Sequence, residues 1–326
     1  MSHPLADIMP KNDQLNAGKI VDRTALLIAS AAQGKTQVVE LLLSMQPTND
    51  AINIAMAQAV TFNRLDVMKQ LLISGATADE AAFTCAITHG RHDLVELILQ
   101  YVDPTINDNF AINTAANGNE EMMRVLLRDR RITQCNRAFE IASVSGHAKI
   151  VRMLMDYGVD PAMGGNYAIK VAATYGHTDV VVELLKDPRV DCMQAFSNAC
   201  VYRHTDVVAE LLKDPRVDPA VNNNYAIKSA ASTGNKIIVE LLLLDARTSA
   251  HIEALKYASH GDKLEVVELL LNRLGHRVSI SDYVYEYINY SPEVSNLWKQ
   301  HIVKYRWIMV QFLREHLSID LLDQFT

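Results

Sequence analysis

A short pattern recurs along the chain and constrains its fold more than any other feature. Each copy has an alanine-rich apolar segment, a turn residue and a second segment that resembles V-V-x-x-L-L. The turn residues follow one another at intervals of 29, 27, 28, 28, 30, 27, 31 and 28 residues. They are Gly34, Asn63, Gly90, Gly118, Gly146, Gly176, Arg203, Gly234 and Asp262. Nine units at this regularity are typical of a solenoid, in which each unit stacks on its neighbours.

Each repeat contains two short amphipathic helical patterns. In the sixth unit, Ile169, Ala172 and Ala173 lie at i, i+3, i+4 spacing before the turn, and the V-V-x-x-L-L segment after it forms a second stripe. Asn166 and Asn224 precede two of the first helices, and we expect them to be N-caps. Helices this short are not stable alone, so only stacking buries their apolar faces. The sequence predicts an all-α solenoid of about nine helix-turn-helix repeats.

One stretch occurs almost twice, as HTDVVVELLKDPRVD at 177–191 and HTDVVAELLKDPRVD at 204–218. Equivalent positions in adjacent layers are roughly 8–10 Å apart, whereas zinc ligands lie about 2 Å from the ion. His177 and His204 are therefore expected to be structural. The residue before a proline avoids the helical region, so each Asp-Pro pair is expected to end a helix. The repetition indicates a copied layer of scaffold rather than a duplicated site.

Four segments carry a more specific pattern: ASAAQGKTQVVELLL at 29–43, TCAITHGRHDLVELIL at 84–99, IASVSGHAKIVRMLM at 141–155 and YASHGDKLEVVELLL at 257–271. They resemble the ankyrin repeat, TPLHxAAxxGHxxVVxLLLxxGAD, over roughly residues 24–275. TPLH itself is absent, and the period is shorter than the family's value of about 33. The resemblance therefore implies shortened finger loops. Short repeats of this kind resemble the divergent ankyrin arrays of amoebae and giant viruses.

Composition limits the function classes. The formal charge is −7, so we expect no nucleic-acid partner for the chain as a whole. There is no apolar run of 18 residues and there are four scattered cysteines, so we expect no membrane contact and a cytoplasmic protein, in the host cytoplasm if it is viral or a secreted effector. No GxGxxG, GxxxxGK[ST], GxSxG or HExxH motif occurs, so we expect no enzyme, no cofactor and no metal site. We expect a monomer.

The pattern divides the chain into a polar N-terminal lead or cap at 1–23, the repeat array at 24–275 and an aromatic-rich C-terminal helical cap at 276–326. In the last part, Trp298, Ile302, Tyr305, Met309 and Phe312 form one apolar stripe. This helix either seals the last repeat or docks a second protein. The final LSIDLLDQF resembles the opening of an F-box, a motif that recruits ubiquitin-ligase machinery.

The resemblance implies that the two residues before each turn line a concave binding groove. The candidate partner-binding residues at these positions are Phe62, His89, Thr174, Tyr175, Val201, Tyr202, Ser232 and Thr233. Aromatic side chains at a solvent-facing position are typical interface anchors. The alternative is that each ring lies back on the neighbouring repeat.

Lys170 and Lys228 lie six residues before their turns and complete the candidate set. If they form a basic stripe, the partner has an acidic segment; otherwise they are ordinary solvated lysines. The sequence therefore predicts a non-catalytic protein–protein interaction scaffold that binds a protein partner in the groove. The alternative is an adaptor, viral or effector-type and linked to a ubiquitin ligase, whose C-terminal helix recruits a second protein.

Overall fold

The structure is a computed structural model that describes residues 22–248, 251–275 and 290–316. Within these ranges the regular secondary structure is helical, in nineteen helices. They are α1 (Arg23–Gln33), α2 (Thr36–Leu43), α3 (Asn49–Thr61), α4 (Leu65–Ile73), α5 (Glu80–Thr88), α6 (His92–Ile98), α7 (Ile106–Ala115), α8 (Glu120–Leu127), α9 (Asn136–Val144), α10 (Ala148–Tyr157), α11 (Met163–Tyr175), α12 (Thr178–Leu185), α13 (Met193–Tyr202), α14 (Thr205–Leu212), α15 (Val221–Thr233), α16 (Lys236–Leu244), α17 (His251–His260), α18 (Leu264–Leu274) and α19 (Pro292–His316). The first eighteen form nine helix-turn-helix pairs, which confirms the predicted all-α repeat architecture.

Each pair of helices is joined at the residue that the sequence pattern predicted as the turn. All nine turn residues have a positive φ, from 55° at Asn63 to 113° at Gly118. Glycine adopts this left-handed conformation without a steric penalty, which explains why it fills most of the turns. Arg203 takes the same conformation with φ 67° and is exposed.

The core of the repeats combines one large and several small side chains from each first helix. Phe83, Phe139 and Phe196 lie seven residues before their turns and are fully buried. Ala172 and Ala173 are also fully buried, and such small residues allow the backbones of neighbouring first helices to approach closely. The large side chains then fill the space between the layers.

The prediction that Asn166 and Asn224 are N-caps is wrong. Each is the last of three consecutive residues with left-handed backbone, at 164–166 and 222–224. Glycine and asparagine adopt this conformation more readily than other residues. The side-chain oxygen of Asn166 accepts a hydrogen bond of 2.8 Å from the backbone N–H of Asp191 in the next repeat. That asparagine therefore joins two repeats instead of starting a helix.

The chain divides into two compact units. Unit 1, Met1–Val159, contains α1 to α10, and unit 2, Asp160–Thr326, contains α11 to α19. Each unit has the same alternation, in which a first helix contacts its own second helix and the first helix of the next repeat.

The second copy of the DPRVD stretch, at 214–218, forms a clamp between repeats. The Arg216 guanidinium pairs with Asp214 at 2.6 Å and donates hydrogen bonds to the carbonyls of Leu185, Asp187 and Val190 in the preceding repeat, at 2.8, 3.2 and 3.2 Å. Those carbonyls belong to the last residue of α12 and to residues just beyond it, where helical partners are missing. The Asp-x-Arg sequence thus ends one helix and binds the end of another.

Unit 1 contains the same clamp. Arg131 pairs with Asp129 at 2.6 Å and donates to the carbonyls of Val102 and Leu99 in the preceding repeat. The hydrogen bond from Arg131 holds the pKa of Asp129 below its ordinary value. The carboxylate therefore stays charged and keeps the guanidinium in place.

The last helix packs on the last repeat. Ser291 donates a hydrogen bond to Asp262 at the start of α18, the buried Trp298 donates one of 3.0 Å to Ser259, and the His301 ring donates one of 2.9 Å to the carbonyl of Gly275 after α18. His301 was not part of the predicted stripe but is buried, whereas Ile302 is only half-buried. Burial lowers the pKa of His301, and the hydrogen bond to the Gly275 carbonyl opposes that shift only in part.

Among the described residues, no helix combines the length and the hydropathy needed to cross a bilayer. The boundaries after residues 23 and 275 stay predictions. Most of the polar lead, the side chains of Met309 and Phe312, and the F-box-like segment lie outside the residues that the structure describes.

Candidate binding surface

One side of the first helices of unit 2 contains exposed tyrosines and half-buried lysines. An α-helix rotates by about 100° per residue. One sector of roughly 140° around the helix axis therefore contains the residues nine, six, five, two and one positions before the turn. We call the surface formed at these positions of α11, α13, α15 and α17 the first-helix face of unit 2. Its tyrosines and lysines are Tyr167, Lys170, Tyr175, Tyr202, Tyr225, Lys228, Lys256 and Tyr257. Alanines line the opposite, buried side of the same helices.

Tyr175 and Tyr202 occupy the same position in consecutive repeats, directly before the turn. Their exposed fractions are 59% and 56%. The Tyr175 ring centroid lies 6.2 Å from that of His177, at the start of the next helix of its own repeat. More than half of each side chain therefore remains accessible to a partner.

Thr174 already takes part in a hydrogen-bond network between repeats. Its hydroxyl donates to the Lys170 carbonyl at 2.8 Å and accepts from the Asn198 amide at 2.9 Å. The Gln194 amide in turn donates to the Asn198 side-chain oxygen at 3.0 Å. This network holds α11 beside α13, so Thr174 positions the surface around Tyr175.

The other small residues before the turns are also on the surface. Val201 is 36% exposed beside Tyr202, and Thr233 is exposed although its hydroxyl donates to the Ser229 carbonyl at 3.0 Å. Ser232 is half-buried. These side chains leave the tyrosines as the largest accessible groups on this side of the helices.

The two candidate lysines have different surroundings. The Lys228 ammonium lies 3.0 Å from the Glu253 carboxylate and 6.0 Å from the centre of the Tyr257 ring. Only 12% of the Lys228 side chain is exposed, so it is already held by the next repeat. Lys170 is half-buried and makes no ion pair with any residue that the structure describes. Of these two lysines, Lys170 is the one whose charge remains unmatched.

Phe62 and His89 belong to unit 1. Phe62 is 51% exposed. The Nδ1 of His89 lies 2.8 Å from the Cys85 carbonyl, to which it donates, and 3.6 Å from the Cys85 thiol. A cavity of about 120 Å³ lies between α3 and α5 and is lined in part by Thr61 and Cys85. The structure thus places these two candidates on a different unit from the tyrosines.

Part of the repeat array is similar to a known protein family. Residues 56–137, from α3 to the start of α9, match the family described as ankyrin repeats (3 copies). The repeats from α3 to α8 are therefore similar to ankyrin repeats. A search of curated proteins found no match.

Histidines after the turns join neighbouring ankyrin-like repeats. The Nε2 of His204 donates a hydrogen bond of 2.8 Å to the Thr174 carbonyl. The His204 ring also packs closely on Gly176, where an added Cβ atom would lie only 2.5 Å from the ring. Arg64 makes the equivalent contact in unit 1, because its Nε donates to the Ala32 carbonyl at 2.9 Å beside Gly34. These contacts give His204 the structural role that the sequence predicted. Within the described ranges no group of three or more His, Cys, Asp and Glu is placed to hold a metal ion.

The cysteines of the ankyrin-like array are free thiols, three of them buried. Burial raises the pKa of Cys135 to about 11 and that of Cys200 to about 12. A thiol with such a pKa is protonated and unreactive at neutral pH. These cysteines act as small apolar residues of the repeat core.

The sequence predictions missed Tyr167, Tyr225 and Tyr257, whose exposed fractions are 41%, 46% and 49%. They lie nine or five residues before a turn, on the same side of the first helices as Tyr175. Counting backwards from each turn residue, instead of reading only the two residues before it, would have found them.

Proposed function

We propose that the chain binds a protein partner, without catalysis, on the first-helix face of unit 2. The observation that carries the proposal is the pair Tyr175 and Tyr202, which occupy one repeat position in succession and are more than half exposed. Tyrosine contributes a large apolar area and one hydrogen-bonding group, which is why it is enriched in interface anchors. We take this face to be the concave side of the array.

The repeat scaffold does not require these tyrosines. Gln33, Ser145 and Thr233 occupy the same position before the turn in other repeats, and their helix pairs have the same form. A large ring that the fold does not need, kept on the surface in two consecutive layers, supports a role in binding.

Replacing both Tyr175 and Tyr202 by alanine tests the proposal. We expect the double variant to lose the bound partner in a quantitative pull-down, because both anchors are removed. Since the side chains are largely exposed, the free energy of unfolding should change by no more than about 1–2 kcal/mol. The matched control is Ile237→Ala on the second helix α16, whose side chain is 57% exposed.

The result that supports the proposal is a protein retained by the wild type and by Ile237→Ala but lost by the double variant. A large loss of stability with capture intact would contradict it, because the tyrosines would then serve the fold. Phe62→Ala, in unit 1, reports whether that unit contributes to the same interface.

A second candidate function is the adaptor, in which α19 recruits another protein. The contacts at the start of α19 extend along the whole of α18. Ser291, just before α19, contacts Asp262 near the start of α18, and His301 contacts Gly275, the residue that follows α18. The helix continues to His316. At about 1.5 Å per residue, the backbone beyond Tyr305 is roughly 16 Å long, about the length of α18 itself. This length supports a second docking element.

Ending the chain after Tyr305 separates the two roles of this helix. The truncated protein keeps Trp298 and His301, so the last repeat should retain its thermal unfolding midpoint. Loss of a second captured protein together with an unchanged midpoint supports the adaptor. If the truncated protein no longer unfolds cooperatively, residues 306–326 belong to the cap instead.

The cytoplasm is the compartment that we propose for this activity. Its support is that the four cysteines are unpaired, as is usual in a reducing compartment. The predicted monomeric state is measured directly by light scattering during gel filtration.

A further inference from the structure

The charges of the first helices differ between the two units. In unit 2, the first helices carry three lysines and a single carboxylate, Glu253. In unit 1, they carry two arginines and four carboxylates, Asp50, Glu80, Asp108 and Glu140. The whole chain has a formal charge of −7. The first-helix face of unit 2 is thus a cationic surface with tyrosines on an acidic protein.

The only carboxylate on this face shows how a lysine here holds an anion. Glu253 lies in the repeat that follows Lys228, nine residues before its turn, and its carboxylate is 3.0 Å from the Lys228 ammonium. The Lys228 side chain is 12% exposed and that of Glu253 51%, so the carboxylate rests on the ammonium from the solvent side. The Tyr257 ring lies beside the ammonium, with its centre 6.0 Å away.

Lys170 occupies the same position two repeats earlier but lacks this partner. The residue that corresponds to Glu253, nine residues before the following turn, is Gln194, and Asn198 corresponds to Tyr257. The Gln194 amide donates to Asn198 and brings no negative charge to Lys170. Lys170 is half-buried and has no ion pair among the described residues.

We infer that the partner supplies this carboxylate: an acidic peptide segment binds Lys170 at the place where Glu253 binds Lys228. The inference rests on the proposed function and names the chemistry of the partner. Lys170 lies on the same helix as Tyr175, and Tyr202 ends the next first helix. A segment that places an acidic side chain on Lys170 therefore brings its neighbouring apolar side chains to the two tyrosines.

An extended segment fits the spacing of the layers. Four first helices at roughly 10 Å per layer span about 30 Å, which an extended chain of about ten residues covers at about 3.3 Å per residue. A nucleic acid is disfavoured, because stable phosphate binding needs several cations along the backbone, and Lys228 is already neutralised. Acidic and apolar side chains on one peptide satisfy both the lysine and the tyrosines.

The test uses a fluorescent peptide of about ten alternating glutamate and leucine residues, with anisotropy measured at low salt. Gln194→Glu places an internal carboxylate beside Lys170 and reproduces the Lys228–Glu253 arrangement. We expect it to weaken peptide binding by about tenfold, since the lysine is then occupied. Added salt should weaken binding to the wild type. The matched control is Glu253→Gln, which makes the reverse change two repeats later and releases Lys228 from its carboxylate. This variant should bind the peptide at least as tightly as the wild type does.

Several results would overturn the inference: Gln194→Glu binding like the wild type, a lysine–leucine peptide binding equally well, or single-stranded oligothymidine binding more tightly than the acidic peptide. Circular dichroism verifies that each variant is folded. If the wild type does not bind the acidic peptide while capture of a protein still depends on Tyr175 and Tyr202, this inference is wrong and the proposed function stands.

Discussion

Units 1 and 2 share a scaffold and differ on its surface. In both units an Asp-x-Arg pair clamps one repeat to the preceding one, through Arg131 in unit 1 and Arg216 in unit 2. The first helices of unit 2 carry five tyrosines and those of unit 1 none. Residues that join neighbouring repeats thus recur in both units, whereas residues on the exposed side of the first helices differ between the units. This difference is the reason that we propose the binding site on unit 2, because the fold alone does not account for it.

The largest effect is expected in the shared core. Phe139 in unit 1 and Phe196 in unit 2 occupy one repeat position, and both are fully buried. Replacing either by alanine should lower the free energy of unfolding by roughly 3–5 kcal/mol, because each leaves a cavity. Urea denaturation followed by circular dichroism measures both. Clearly unequal losses would mean that the two units do not share one scaffold.

The clamp should have a smaller effect that depends on what the arginine binds. Arg216→Ala removes hydrogen bonds to three carbonyls of the preceding repeat and should cost about 2–3 kcal/mol. The matched control is Arg189→Ala, since Arg189 pairs with the carboxylates of Asp187 and Asp160. Because the Arg189 side chain is 60% exposed, loss of these ion pairs should cost about 0–1 kcal/mol. Equal losses for the two variants would contradict the clamp.

The smallest effect is a pH dependence in unit 2. Hydrogen bonds from the Arg189 side chain and then from its backbone N–H lower the pKa of Asp187 to about 2. A depressed pKa in the folded state stabilises the protein above the ordinary aspartate pKa of about 3.9. This stabilisation is lost as the pH falls from about 4 through about 2. In Arg189→Ala the pKa of Asp187 should return towards its ordinary value, measured by carboxyl NMR titration. An unchanged midpoint would contradict this origin.

The features that the sequence predicted correctly are local or periodic. The nine turn residues could be read from their spacing, because a left-handed turn selects glycine and a few tolerant residues. The burial of Ile169, Ala172 and Ala173 follows from their i, i+3, i+4 spacing. The structural role of His204 followed from the distance between layers. The identity of the candidate site residues remains a prediction, supported by the exposure of Tyr175 and Tyr202.

The features that the sequence did not reveal join residues 25 to 31 positions apart. Asn166 bonds to Asp191, Lys228 to Glu253, and Arg216 to the carbonyl of Leu185. Each partner lies in a neighbouring repeat, so the pairing depends on how the layers stack and not on local spacing. For the same reason the difference between Lys170 and Lys228 became visible only when Gln194 and Glu253 were found at equivalent places.

The sequence by itself determined the repeat, its all-helical form and the position of every turn, because these depend on the side chains within one repeat. Only the tertiary structure decided which charged groups are already paired and which side chains remain exposed. Those properties depend on the next layer: Glu253 neutralises Lys228, and no carboxylate stands in the same place beside Lys170. The surface that we propose for binding is the side of the first helices on which the stacking of the repeats leaves Tyr175 and Tyr202 exposed.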